Sequence, residues 1–195
     1  VRKDAGVTGG DRDPDADLVR RVGLGDRHAC AALVDRHLGQ VIQVAVRLLG
    51  NRADAEEAAQ EVFLKVWCRA GSWREGRGRF STWLYRVTVN QCLDHRRRRR
   101  EASLSVLDEP VDERAGQDDL AQETEVAVLV GKALARLPHR QRAAVVLTHY
   151  QGLSNGEAAE ILKVSVDAVE SLLVRARRRL RALLRPQLDD LLGGP

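Results

Sequence analysis

Between positions 74 and 100 aromatic rings and arginines are interleaved. Phe80, Trp83 and Tyr85 fall among Arg74, Arg77, Arg79 and Arg86, and the stretch closes on an unbroken arginine run, Arg96–Arg100. Stacking surfaces beside cations suit unpaired nucleic acid, which exposes base faces and keeps its backbone charge. Helical spacing puts either Trp83 or Leu84 on a buried face, so Trp83 is as much a core candidate as a stacking one.

A second constellation lies near the end of the chain. Ser154 followed by Glu157 has the spacing of a capping box, Ala158 and Ala159 are small where helices cross, and Lys163–Ser165 is a tight turn before a helix capped by Ser165. This is a helix-turn-helix layout. On the final helix Val166, Val169, Leu173, Ala176, Leu180 and Leu183 form a seam for burial. Asp167, Glu170, Ser171, Val174, Arg175 and Arg178 take the opposite face. In such a motif the start of the second helix reaches base edges in the major groove, and arginines further along neutralise phosphates.

A third group, Asp54, Glu57 and Glu61 with Gln60 beside them, stands opposite an apolar stripe of Ala55, Ala58, Ala59, Val62, Phe63, Val66 and Trp67. This acidic ridge would by itself do no more than keep the helix soluble.

Catalytic and metal chemistry find little support. His28, His37, His95, His139 and His149 are dispersed, and no HExxH, CxxC, phosphate loop or nucleophile elbow accompanies them. His28 and Cys30 are near neighbours, but two donors on one helix do not make a zinc site. No cofactor, metal or small-molecule substrate is expected, and the chain is read as a non-enzyme. Cys30, Cys68 and Cys92 are widely spaced within apolar patterns and read as reduced core residues.

The elements that position these groups are helical. Aromatics are 4% of the 195 residues against 44% hydrophobic and 31% charged, a helix-rich balance. After a polar start, Asp17–Gly23 makes a short helix, and Asp26 caps a long one that Gly50 ends. The next runs from Arg52 to Ala70, and Ser72–Arg79 is a cationic loop. Ser81 offers a cap for a helix from Thr82 to Arg100. Acids crowd residues 101–128, where Arg114 is the one base. Beyond them Val126–Leu137 is helical, Pro138 opens another helix reaching Gly152, and the helix-turn-helix follows.

The fold class is therefore all-α: two small helical domains joined by a flexible acidic linker, the second domain containing the helix-turn-helix. The divisions fall at a tail 1–16, a first domain 17–100, a linker 101–121, a second domain 122–185 and a tail 186–195. Net charge is +4, with two basic lobes separated by the acidic strap, which suggests a polyanion partner. No apolar run approaches a membrane span, and the start lacks a signal-peptide core, so a cytoplasmic protein without membrane insertion is expected.

Residues 137–184, LPHRQRAAVVLTHYQGLSNGEAAEILKVSVDAVESLLVRARRRLRALL, closely resemble the C-terminal domain of extracytoplasmic-function sigma factors of bacterial RNA polymerase. NRADAEEAAQEVFLKVW (51–67) and GRFSTWLYRVTVNQCLDHRRRRR (78–100) resemble the polymerase-binding and promoter-melting segments of the same family. The resemblance covers nearly all of the chain outside its tails and linker, in the family's order.

The resemblance implies a sigma factor whose partners are core RNA polymerase, promoter DNA as duplex and melted strand, and an anti-sigma factor. It implies polymerase docking at Asp54, Glu57, Gln60 and Glu61. Minus-ten contacts would come from Arg74, Arg77, Arg79, Phe80, Ser81, Thr82, Trp83, Tyr85, Arg86, Asn90, Asp94, Arg96 and Arg97, with the loop Ser72–Arg79 pocketing a flipped base. Minus-thirty-five contacts would come from Ser165, Asp167, Ala168, Glu170, Ser171, Arg175 and Arg178. The linker Glu101–Glu125 would thread toward the RNA exit path, and an apolar patch at Val145–Tyr150 is the expected anti-sigma contact.

Lys163 stands where the family's turn has Gly, so a left-handed lysine is expected there. Glu170 and Leu172 replace residues that are often basic, so the family's DNA preference does not transfer. A helix-turn-helix regulator acting without polymerase would share the second half; the upstream pair of segments distinguishes it.

Overall fold

A computed structural model describes residues 13–74, 78–105 and 125–191. Among the described residues the chain is helical throughout: α1 (Ala16–Gly23), α2 (Arg27–Leu49), α3 (Arg52–Arg69) with a 3-10 turn at Ala70–Ser72, α4 (Phe80–Ser105), α5 (Glu125–Ala135), α6 (His139–Val145) running into a π turn at Val146–Tyr150, α7 (Asn155–Leu162) and α8 (Val166–Leu191).

Local chemistry explains most boundaries. The Asp26 carboxylate accepts from the amides of His28 and Ala29 at 2.9 and 3.1 Å, satisfying first-turn donors of α2. Gly50 ends that helix at φ 92°, a left-handed conformation that costs glycine nothing. Asn51 caps α3 by accepting from Asp54 N at 2.7 Å. At α7 the capping box is present in both directions, and Lys163 closes the helix at φ 54°, as its place in the turn predicts.

Three boundaries differ from the sequence reading, one of them the end of α4, which runs on to Ser105, past the expected end at Arg100 and into the expected linker. Helix α4 starts at Phe80, because its first amide donates to Asp13 Oδ2 at 2.6 Å; Ser81 lies inside the first turn rather than capping it. A cap supplied from 67 residues away has no local signature. Helix α8 continues through Pro186 to Leu191, past the boundary expected at 185, and Pro186 leaves one rung of its ladder without a donor. Most of the expected linker, 106–121, lies outside the described residues, as does the proposed base-pocket residue Arg77.

One core joins α1, α2 and α3 to the start of α4 through Val19, Val22, Leu33, Val41, Val62, Val66, Phe80 and Leu84. The other crosses between the two halves of the chain. Val44, Leu48, Tyr85, Val89 and Cys92 meet Leu134, Leu137, Ala143–Leu147, Ala158, Ile161, Val169 and Leu173 in one continuous apolar cluster. The second helical unit thus lies directly on α2 and α4 of the first.

At this junction Arg142, 2% exposed, donates to the carbonyls of Leu48 at 2.9 Å, Leu137 at 3.3 Å and Ala135. Burial, with Arg96 adding repulsion, pushes Arg142 down to about 10, so it remains a cation at neutral pH. Its three carbonyl acceptors are what make a buried guanidinium tolerable.

Of the cysteines, Cys92 is buried with its thiol pushed up to about 12 by desolvation, and Cys30 is half-buried. Cys68 is exposed, which corrects its reading as core: it lies on the outer side of α3.

Candidate nucleic-acid and polymerase interfaces

Residues 13–15 strap α2 to the start of α4. Buried Asp15 pairs with His37 at 2.8 Å and with Arg36, Arg36 also donates to the Pro14 carbonyl at 3.3 Å, and Asp13 caps α4. His37 meets Phe80 edge-on, with 5.6 Å between ring centres, and Phe80 stacks on Trp83 at 5.5 Å. The arrangement fixes where the cationic loop enters the helix.

It also corrects the expected stacking platform. Phe80 is 1% exposed and Tyr85 7%, so both rings are core, filled in from two sides by α2 and by the opposite half. Only Trp83 is part-exposed. Arg74, Arg79, Arg96 and Arg97 are exposed, while Ser81, Thr82, Arg86, Asn90 and Asp94 are half-buried. Asp94 lies 3.7 Å from Arg97.

Part of this face is covered by α7. Arg86 Nη2 lies 3.3 Å from Glu160 Oε2, and Glu157 is close enough to Thr82 and Arg79 for both to act on its carboxyl. Glu157 is held below the ordinary glutamate value chiefly by the Ser154 amide and hydroxyl, with Thr82 and Arg79 adding to the effect against desolvation. Acids of the helix-turn-helix therefore sit on the very cations expected to hold a DNA strand.

On α3, Glu57 and Gln60 are exposed, whereas Glu61 is half-buried. Asp54 is tied down: Asn51 Nδ2 donates to its Oδ2 at 2.7 Å and Arg99 donates to the same oxygen. Burial raises the Asp54 pKa, but the hydrogen bonds from Asn51 and Arg99 and the Arg99 charge outweigh it, leaving the carboxyl below its usual range.

The ridge continues into Leu64, 58% exposed, and Trp67, also on the surface. Trp67 was expected in the buried stripe and Leu64 was not singled out. Their spacing from Glu57 and Gln60 by four, seven and ten was the available signal, since it puts all four on one face.

In α8, Ser165 Oγ accepts from Ala168 N at 3.2 Å and so serves as the cap. Asp167, Glu170, Ser171, Arg175 and Arg178 are exposed and Ala168 is half-buried. Asn155 Nδ2 stands 3.5 Å from Glu170 Oε1, joining α7 to the reading face. Exposed Val174 lies among Arg177, Arg178 and Arg181 in a shallow groove. Val166 is exposed rather than in the seam, because only from Val169 onward does α8 meet its neighbours.

The expected surface patch at Val145–Tyr150 is not a patch. Val145, Val146 and Leu147 are buried in the shared core, and Arg47 lies over the Tyr150 ring at 4.4 Å. No described helix is long and apolar enough to cross a membrane.

Residues 33–102 match the model for sigma-70 region 2 and residues 127–180 that for sigma-70, region 4. The chain is 38% identical over 172 residues to the ECF RNA polymerase sigma factor SigM of Mycobacterium tuberculosis, covering 87% of this chain and 84% of the relative. It is 30% identical to ECF RNA polymerase sigma factor SigW of Bacillus subtilis, covering 86% and 95%. Among solved structures it is similar to CnrH in complex with the cytosolic domain of CnrY, with a TM-score of 0.66, 30% identity and coverage of 89% and 99%. The sigma factor RpoE in complex with the anti-sigma factor NepR from Bartonella quintana also gives 0.66, at 26% identity and coverage of 80% and 96%.

Proposed function

The chain belongs to the extracytoplasmic-function family of RNA polymerase sigma factors, and on that premise we propose how its surfaces divide the work. As a sigma factor it binds core RNA polymerase and promoter DNA and directs transcription initiation. It regulates without catalysing a reaction of its own, and it acts beside the cytoplasmic polymerase.

Docking on polymerase is assigned to the α3 ridge, with Glu57 and Gln60 supplying polar contacts and Leu64 and Trp67 an apolar centre. Asp54 and Glu61 flank it. An exposed aromatic beside charges is the usual anchor of a protein interface, and the charges steer approach. Melted minus-ten DNA is assigned to Trp83 and to Arg74, Arg77, Arg79, Arg86, Arg96 and Arg97, with Ser81, Thr82, Asn90 and Asp94 as polar readers. Phe80 and Tyr85 support that face from beneath. Duplex minus-thirty-five DNA is assigned to α8, where Asp167, Glu170 and Ser171 face base edges and Arg175 and Arg178 the phosphates.

The described arrangement cannot do both DNA tasks at once. Elements whose positions differ by about 25 base pairs are about 85 Å apart at roughly 3.4 Å per pair, whereas α7 lies against α4. Engaging a promoter therefore requires the two units to separate. Because the similar CnrH and RpoE structures are of complexes with CnrY and an anti-sigma factor, we extend an anti-sigma partner to this chain.

What carries the reading is the presence, on one chain, of the exposed α3 ridge and a helix-turn-helix whose second helix is open to solvent. The deciding experiment is transcription in vitro with bacterial core polymerase on random promoter fragments, with and without the protein, followed by transcript sequencing. Start sites sharing two spaced upstream motifs only in its presence are expected. Retained duplex binding without any binding to core polymerase would instead establish an independent regulator.

A further inference from the structure

One buried group between α3 and α4 has no role in docking or DNA contact. His95 is 8% exposed, and its Nε2 is closed off from solvent without a hydrogen bond. That nitrogen lies 3.5 Å from Asp54 Oδ1, within ion-pair range but without the geometry of a hydrogen bond. Glu57, one turn along α3 from Asp54, completes the group: the ligand-capable atoms of the three residues lie within 4.8 Å of one another.

A buried ring nitrogen with no partner costs stability unless something else satisfies it. A transition-metal ion bonded to nitrogen and oxygen at about 2.0–2.2 Å would hold its ligands some 3–4 Å apart, close to the spacing here. The exposed Glu57 side chain can supply the remaining movement.

We propose that Asp54, Glu57 and His95 bind one divalent transition-metal ion of the zinc class, with water completing its coordination. The imidazole selects such ions over magnesium and calcium, which prefer all-oxygen shells. Asn51 and Arg99 both bond Asp54 Oδ2, leaving Oδ1 for the ion and orienting it as outer-shell groups do. The cationic Arg99 opposes a metal, but it bonds the far oxygen, Oδ2, and its side chain is 56% exposed, so solvent screens its charge. Asp54 is already held ionised and needs to release no proton.

This site overlaps the docking ridge, and one consequence rests on the docking reading above: zinc on Asp54 and Glu57 excludes polymerase from those carboxylates.

The test is zinc binding to the full, reduced chain by competition with a chromogenic chelator, with the cobalt complex recorded by absorption spectroscopy. One ion per chain is expected, with His95→Gln and Glu57→Gln each weakening binding tenfold or more, and a cobalt spectrum without thiolate charge transfer. Absence of saturable binding, equal affinity in the variants, or a strong thiolate band overturns the site. Glu57 is exposed, so Glu57→Gln remains a valid arm if His95→Gln does not fold. Capture of core polymerase with and without zinc then separates the two readings. Zinc binding without competition leaves the site and removes its carboxylates from docking; no zinc binding removes the site and leaves docking to be judged by charge reversal at Glu57.

Discussion

Arg86 Nη2 on α4 and Glu160 Oε2 on α7 lie 3.3 Å apart although 74 residues separate them in sequence. An arginine proposed for the melted strand is thus matched by a carboxylate of the helix-turn-helix. With Arg142 on the Leu48 carbonyl and Arg47 on Tyr150, this contact marks the junction that we propose opens on a promoter.

Glu160→Lys should favour opening. The pair is largely exposed, so its own worth is small, at most about 1 kcal/mol, but the substitution adds repulsion. Energy transfer between labels on the two units should fall, and affinity for a single-stranded minus-ten oligonucleotide should rise several-fold. Unchanged transfer would mean that the shared apolar core alone sets closure.

Arg142→Met removes the donor to three carbonyls. Leaving those acceptors buried costs about 1–3 kcal/mol, partly offset because a buried charge is also removed. Urea unfolding should show a lower midpoint. A stabilised variant would show that the desolvation cost of the guanidinium exceeds its hydrogen bonds.

Lys163→Gly should stabilise the second unit by roughly 0.5–1 kcal/mol, because the lysine holds φ 54° and glycine does so without strain. Chemical denaturation is sufficient to detect it, and a loss of stability would contradict the turn geometry.

Glu157 gives a pH dependence with a definite sign. Its folded pKa lies below the ordinary 4.5, chiefly through the Ser154 amide, so its ionised form contributes stability above that value and loses it as pH falls through the folded pKa. Glu157→Gln keeps the reciprocal capping pattern but not the charge. Its Tm deficit at pH 7 should shrink below about pH 4.5; a deficit constant with pH would place the effect in packing.

Arg178→Ala should weaken duplex binding about equally on all sequences and reduce the salt slope by about 1, as loss of one phosphate contact does. A change confined to one base position would make Arg178 a base reader instead.

Much of this protein was legible without coordinates. Apolar spacing located the helices, Asp26 and Ser154 are caps whose partners lie within three residues, and the left-handed turn at Lys163 followed from its place in the helix-turn-helix. These are local effects, set by neighbours in sequence. The acidic ridge and the reading face of α8 were visible for the same reason, as faces of single helices.

Only tertiary structure decided which rings reach the surface and which charges are free. Phe80 and Tyr85 carry the composition of a stacking platform, yet packing against α2 and the second unit buries them, while Trp67 stays part-exposed among the described residues. Asp13 capping α4, His95 facing Asp54 and Glu160 meeting Arg86 all join positions far apart along the chain. Periodicity reports which face of a helix is apolar, but burial depends on what lies opposite, and that is fixed only when the helices pack.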